Sequence, residues 1–151
     1  MIETRELFTL TLDVPSIKDL GATPWGHRRI AQVTGGRFEG ERLKGTVHAG
    51  PGGDWMLLRQ DGVLALDVRI TLETDDGHLI FMSYRGMRHG PKDVIDRLNR
   101  GEKVEPGSYY FRMVPQFETS SEKYAWLNRL VALGKGRREP TGPIYSVYEV
   151  L

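Results

Sequence analysis

Apolar and polar positions alternate along most of this chain, and runs with helical spacing are nearly absent. The cleanest alternation sets Leu64, Leu66, Val68, Ile70 and Leu72 against Asp67, Arg69, Thr71 and Glu73, the period of a strand with one face turned away from water. Segments rich in Val, Ile, Thr, Tyr and Phe recur between Gly, Pro and Asp-Gly breaks, the pattern of an all-β sandwich or barrel. Strands are predicted over residues 5–14, 28–34, 42–49, 55–60, 63–74, 79–85, 108–114, 127–133 and 144–151. That set predicts an antiparallel barrel of about eight to nine strands. Residues 91–100 depart from the pattern: Pro91 opens the stretch, Val94, Ile95 and Leu98 share a side, Asp93/Arg97 and Asp96/Arg100 are four apart, and Gly101 stops it. These features predict one short surface helix. A further turn is expected over 120–124, and no repeat or linker divides the chain, so residues 1–151 are expected to form a single domain.

Asp61-Gly62 and Asp76-Gly77 each separate two strand-like runs. Read as two-residue hairpin loops, they set a register. Leu57 then faces Leu66, Trp55 faces Val68, Met56 faces Asp67 and Asp54 faces Arg69. In the second hairpin Leu72 faces Phe81, Ile70 faces Ser83 and Arg69 faces Tyr84. One face therefore collects Trp55, Leu57, Leu66, Val68 and Phe81; the other carries a row Asp54–Arg69–Tyr84 beside Asp67, Glu73 and the apolar Met56, Leu58, Ile80 and Met82. Two readings of that second face stand. Either it meets water and Asp54 and Arg69 form a surface ion pair worth at most about 1 kcal/mol, or it lines a half-polar cavity of the kind a small barrel uses for one ligand.

Composition narrows the function classes. The chain has 151 residues, with 21 Lys and Arg against 20 Asp and Glu, so it lacks the long-range field of a dedicated nucleic-acid or anionic-membrane binder. There is no cysteine, which excludes disulfides, thiol nucleophiles and iron–sulfur clusters. The charged start Met1-Ile2-Glu3-Thr4-Arg5-Glu6 is unlike a signal peptide, and a cytoplasmic location is expected.

Local motifs add little chemistry. Gly35-Gly36-Arg37-Phe38-Glu39-Gly40 lacks the Lys-Ser/Thr ending of a phosphate loop and reads as a bulge or tight strand connection. Gly50-Pro51-Gly52-Gly53 reads as a turn. His27, His48, His78 and His89 lack metal-ligand spacing, so no metal is expected; His48 remains a candidate acid or base near Asp54, with a surface role favoured. The basic runs Arg85, Arg88, His89, Lys92 and Lys135, Arg137, Arg138 read as solvated loops. On a strand, Tyr110 and Arg112 share one face and Tyr109 and Phe111 the other; a buried Arg112 would need a carboxylate, with Asp54, Asp67 and Glu118 as candidates.

Taken in order, Gly35 to Gly40, Gly53-Asp54-Trp55, Asp67-Val68-Arg69, Thr74-Asp75-Asp76-Gly77, Tyr110-Phe111-Arg112, Phe117-Glu118-Thr119 and Tyr124-Ala125-Trp126-Leu127-Asn128 resemble domain of unknown function 3237, also called uncharacterised protein family 0311. The resemblance covers nearly the whole chain. It implies a calycin-like or allene-oxide-cyclase-like β-barrel with a central pocket, often oligomeric, but no general activity. The residues matching its motifs are Asp54, Trp55, Asp67, Arg69, Arg112, Glu118 and Trp126; the turn His48 to Gly53 departs from the proline-led version of the family.

The expected function is binding of a small organic molecule bearing a carboxylate or carbonyl in the barrel, with cofactor-independent isomerase, cyclase or hydratase chemistry as an extension. Asp54, Asp67 and Glu118 are the candidate acids and bases; Trp55, Arg69, Tyr84, Arg112 and Trp126 are the candidate ligand contacts. No cofactor, nucleic acid or membrane partner is expected, and a homo-oligomer is. A non-catalytic carrier and a structural or interaction module are the alternatives.

Overall fold

The computed structural model describes residues 1–151. Its strands are β1 (Thr4–Asp13), β2 (Ile17–Thr23), β3 (Gly26–Gln32), β4 (Gly35–Glu39), β5 (Lys44–Val47), β6 (Gly53–Leu58), β7 (Leu64–Thr74), β8 (Leu79–His89), β9 (Tyr110–Glu118), β10 (Ala132–Glu139) and β11 (Gly142–Val150), with one helix, α1 (Lys92–Asn99). The ring β7–β5–β4–β1–β11–β10–β9–β8 closes on itself because β8 also pairs with β7, making an eight-stranded antiparallel barrel. Closure removes the open edges that a sheet otherwise exposes. The remaining strands, β6, β3 and β2, form a flap. It hangs on the first half of β7 through Gly53↔Arg69 to Leu58↔Leu64, while β5 holds the second half through Val47↔Leu72 to Gly45↔Thr74.

The two hairpins carry three-residue loops, and this changes the predicted register. Arg59 N–H donates to the Val63 carbonyl and Gly62 N–H to the Arg59 carbonyl; Thr74 and His78, with Gly77, repeat the arrangement. Asp61-Gly62 and Asp76-Gly77 thus end a turn of type I geometry, and Gly62 (φ 83°) and Gly77 (φ 86°) take the left-handed conformation that follows it. One extra loop residue slips each pairing by one. Asp54 faces Val68 rather than Arg69, and Tyr84 faces Val68 rather than Arg69. The two slips compensate, so Asp54 and Tyr84 still share a face, but it is the apolar one. Leu64, Leu66, Val68, Ile70 and Leu72 line the interior, while Asp67, Arg69, Thr71 and Glu73 point outward.

Other elements also differ from expectation. The Gly35-Gly36 segment is the strand β4, and its glycines allow close approach, since a Cβ at Gly36 would lie 2.1 Å from the Thr11 carbonyl oxygen. The flap strand β2 was not predicted, because Lys18, Asp19 and Gly21 mask its alternation. The segment predicted over 127–133 divides: Ala125–Arg129 is a short 3-10 turn, and β10 begins at Ala132. Helix α1 has the predicted bounds within a residue or two and buries Val94 and Leu98, but its expected ion pairs are replaced by Lys92–Asp96 and by Arg97 and Arg100 with Glu102.

The interior is solid at one end. Phe8 packs edge to face on Phe38 and Phe117, at centroid distances of 5.5 and 5.9 Å. Nearby, the buried Glu149 carboxylate accepts from Arg5 and Arg42, whose guanidinium lies 4.2 Å over the Trp126 ring. Further along, β10 turns Ala132, Gly134 and Gly136 inward. A Cβ at Gly136 would come within 2.9 Å of both the Phe111 and Tyr145 rings. Replacing Gly136 with Val is therefore expected to destabilise the barrel by about 1–3 kcal/mol through overpacking, measured by urea unfolding; an unchanged midpoint would mean the rings move aside freely.

Candidate functional site

The other end of the barrel is hollow. A cavity of about 390 Å³ lies between the flap and strands β7, β8, β9, β10 and β11, with Leu98 and Asn99 of α1 at its border. This volume is in the range of small-molecule sites. Its walls are largely apolar, including Leu12, Met56, Leu66, Val68 and Phe111; its polar groups are Asp19, Arg29, Asp54, Tyr84, Arg88, Asn99, Arg138 and Tyr145.

Asp54 stands on β6 directly across from Val68, with Tyr84 on the next strand in the same row. Pairing of β6 with β7 is interrupted at Trp55 and Met56, and two side chains cover the gap. The Asp67 N–H donates to Asp54 Oδ1 at 3.0 Å, and Arg28 Nη1 donates to the Trp55 carbonyl at 2.9 Å. Asp54 is thereby held by backbone, and its other oxygen makes no hydrogen bond to the protein. Burial in this mostly apolar site pushes its carboxyl up to about 7, against the lowering effect of the Asp67 N–H.

Tyr84 and Tyr145 pack edge to face with centroids 5.3 Å apart. Burial raises the pKa of both phenols, so each stays protonated. Their hydroxyls influence each other's ionisation, yet no hydrogen bond of regular geometry joins them, and the buried Tyr84 oxygen has no other partner. An orphaned buried hydroxyl costs about 1–3 kcal/mol unless a ligand or water meets it. Arg88 and Arg138 also border the cavity, and neither makes an ion pair or a side-chain hydrogen bond. Burial, and then the Arg138 charge, push the Arg88 guanidinium below its usual value. Arg29 is matched by Asp19 at 3.6 Å, and Asp19 also holds His27.

Of the residues singled out from sequence, Asp54 and Tyr84 meet in the cavity. The others lie elsewhere. Arg69 is exposed on the outer face of β7, and Asp67 lies half-buried on that face. Trp55 points outward, and Trp126 lies under Arg42 at the solid end. Arg112 finds no carboxylate; it donates to the Phe111 carbonyl at 2.9 Å and lies over Tyr110. Glu118 borders a shallow outer groove with Phe81 and Asn128, and His48 is on the surface near Glu73. The arginines were missed because their basic runs read as loops. Strand β8 continues to His89 and β10 to Glu139, so alternation carries Arg88 and Arg138 inward. No group of three or more His, Asp or Glu side chains is arranged to hold a metal ion.

The profile of a protein family of unknown function, DUF3237, matches residues 3–150. The chain belongs to the DUF3237 family. Among its relatives, a UPF0311 protein of Rhodopseudomonas palustris is 33% identical over 150 residues, covering 99% of this chain and 97% of the relative. A UPF0311 protein of Clostridium acetobutylicum is 32% identical over 148 residues, covering 97% and 92%. Among solved structures, a β-barrel-like protein of Acinetobacter baumannii is 40% identical with a TM-score of 0.87, covering 100% of this chain and 97% of that one. A conserved protein of unknown function from R. palustris superposes with a TM-score of 0.96 at 33% identity, covering 100% and 99%. A structure described as an enzyme from Penicillium herquei has a TM-score of 0.75 over 99% and 95% of the two chains; at 21% identity this likeness concerns the fold alone.

The raised pKa of Asp54 makes a stability prediction. Because the folded form holds its proton more tightly than the unfolded chain, Asp54 costs stability increasingly as pH rises from the ordinary carboxylate range, with the full cost reached above about 7. The variant Asp54→Asn is expected to be more stable than the parent, and its advantage at pH 8 should exceed that at pH 5 by roughly 2–3 kcal/mol. Denaturant unfolding at the two pH values checks this; an advantage that does not grow with pH would place the carboxyl in a wetter site.

Proposed function

We propose that the cavity binds a small organic molecule bearing a carboxylate or carbonyl, and that Asp54 carries out cofactor-independent acid–base chemistry on it, of isomerase, cyclase or hydratase type. The observation that carries this reading is the placement, in one half-open cavity, of a carboxyl that burial pushes up to about 7 and a phenol whose buried hydroxyl has no partner. A group with a pKa near the working pH exchanges protons most effectively in both directions. A protonated phenol in a dry site donates to negative charge that develops on a carbonyl oxygen. The elementary step is a proton transfer. A ligand C–H bond breaks as an O–H bond forms on ionised Asp54, the electron pair moves onto the adjacent carbonyl oxygen, and Tyr84 donates a hydrogen bond to it. Asp54 then returns the proton to carbon or oxygen of the same molecule. The Penicillium herquei neighbour, described as an enzyme, supports a catalytic use of the fold.

Exchange of the acetyl hydrogens of 4-acetylbenzoate with D2O, followed by proton NMR, tests the reading. Exchange above the buffer rate is expected, with kcat/KM rising through pH about 7 as Asp54 ionises. Asp54→Asn should abolish it and Tyr84→Phe should slow it by about 10²–10³. Binding without exchange would instead mark a non-catalytic carrier, and equal rates in the parent and Asp54→Asn would remove Asp54 from the chemistry.

A further inference from the structure

The cavity contains more positive charge than the proton-transfer reading uses. Arg88 is carried inward on β8, opposite Leu64 on β7 and Phe111 on β9, and Arg138 comes in from β10, opposite Pro143. The Arg138 charge acts on the Arg88 guanidinium, and neither side chain makes an ion pair with a carboxylate. The cavity's own acids do not supply one: Asp19 is taken by His27 and Arg29, and Asp54 is turned to the Asp67 N–H. A largely buried cation without a counter-ion is costly, and two that converge are costlier. A forked donor pair of this kind matches the two oxygens of a carboxylate.

Position along the strand then sets the shape of the ligand. Tyr84 and Arg88 are four residues apart on β8, about 13 Å between α-carbons. Gly86 lies between them, facing Leu66, and contributes no side chain to the wall. Along β8 the Tyr84 phenol and the Arg88 guanidinium thus start from two ends of a wall that includes the apolar surfaces of Leu66 and Phe111, and the Arg88 charge still reaches Asp54 and Tyr145. We propose that Arg88 and Arg138 form a carboxylate clamp, and that the ligand is an oxo acid whose carboxylate and enolisable carbonyl lie at opposite ends of an apolar body. This assignment builds on the proton-transfer reading for the carbonyl end and is independent of it at the carboxylate end.

Calorimetric titration with 4-acetylbenzoate, its methyl ester and 4-ethylbenzoate tests the clamp. The oxo acid is expected to bind the parent protein at least about tenfold more tightly than the ester. The double variant Arg88→Met/Arg138→Met should bind acid and ester alike, and Arg88→Lys, which keeps the charge but loses the fork, should retain part of the preference. If the double variant does not fold, Arg88→Lys and the acid-to-ester ratio of the parent decide. 4-Ethylbenzoate should keep the arginine dependence and be indifferent to Asp54→Asn. Equal binding of acid and ester to the parent, a preference that survives in a folded double variant, or no binding of any probe in the millimolar range would overturn the clamp. A parent that prefers the acid but catalyses no exchange would defeat the proton-transfer reading and leave the clamp standing.

Discussion

The cavity depends on the register of the β6–β7–β8 meander, which two three-residue turns hold. In each, a glycine in the left-handed region follows a tight turn and sets the number of residues in the loop. Since side chains alternate at every residue, a change of one in either loop would exchange the inner and outer sets of one strand relative to its neighbour. With the turns as they stand, Asp54, Val68 and Tyr84 form one inward row, and the charged positions Asp67 and Arg69 meet the outside.

The barrel is packed in one half and open in the other, and side-chain size accounts for the difference. Phe8, Phe38 and Phe117 fill the solid end, where Glu149 is neutralised by Arg5 and Arg42. Toward the open end β10 presents glycines, against which Phe111, Met113 and Tyr145 settle. The flap takes the place of β5 and β4 beside the first half of β7, so the wall there is built from strands that extend the sheet outside the eight-stranded ring.

The electrostatics of the two ends differ accordingly. At the solid end a buried acid has two arginines, and the hydrogen bonds from Arg42 and Arg5 outweigh burial and hold its carboxyl below the usual range. In the cavity the balance is reversed: burial dominates at Asp54, Tyr84 and Arg88, and none is fully matched by a protein partner. Unmatched polar groups of this kind lower stability, and they concentrate where a fold is shaped for a ligand.

The alternation of Leu64 to Leu72, the Asp-Gly turn sites and the Pro91 to Gly101 helix signals were legible in the sequence, because each is a local pattern with a local cause. So was the shared face of Asp54 and Tyr84, since two equal errors of register cancel between strands on either side of β7. The face they share was not. Asp-Gly suits a two-residue loop and also the end of a three-residue one, and only the hydrogen bonds from Arg59 to Val63 and from Thr74 to His78 separate the two. Arg88 and Arg138 sat in basic runs identical in composition to solvated loops, and their direction is decided by how far β8 and β10 extend within a closed barrel. Local sequence thus determined the strands and turns of the central meander and the helix, but not β2, β4 or the start of β10. The tertiary structure decided which side of each strand is inside, because that depends on ring closure and loop length, neither of which any single segment encodes.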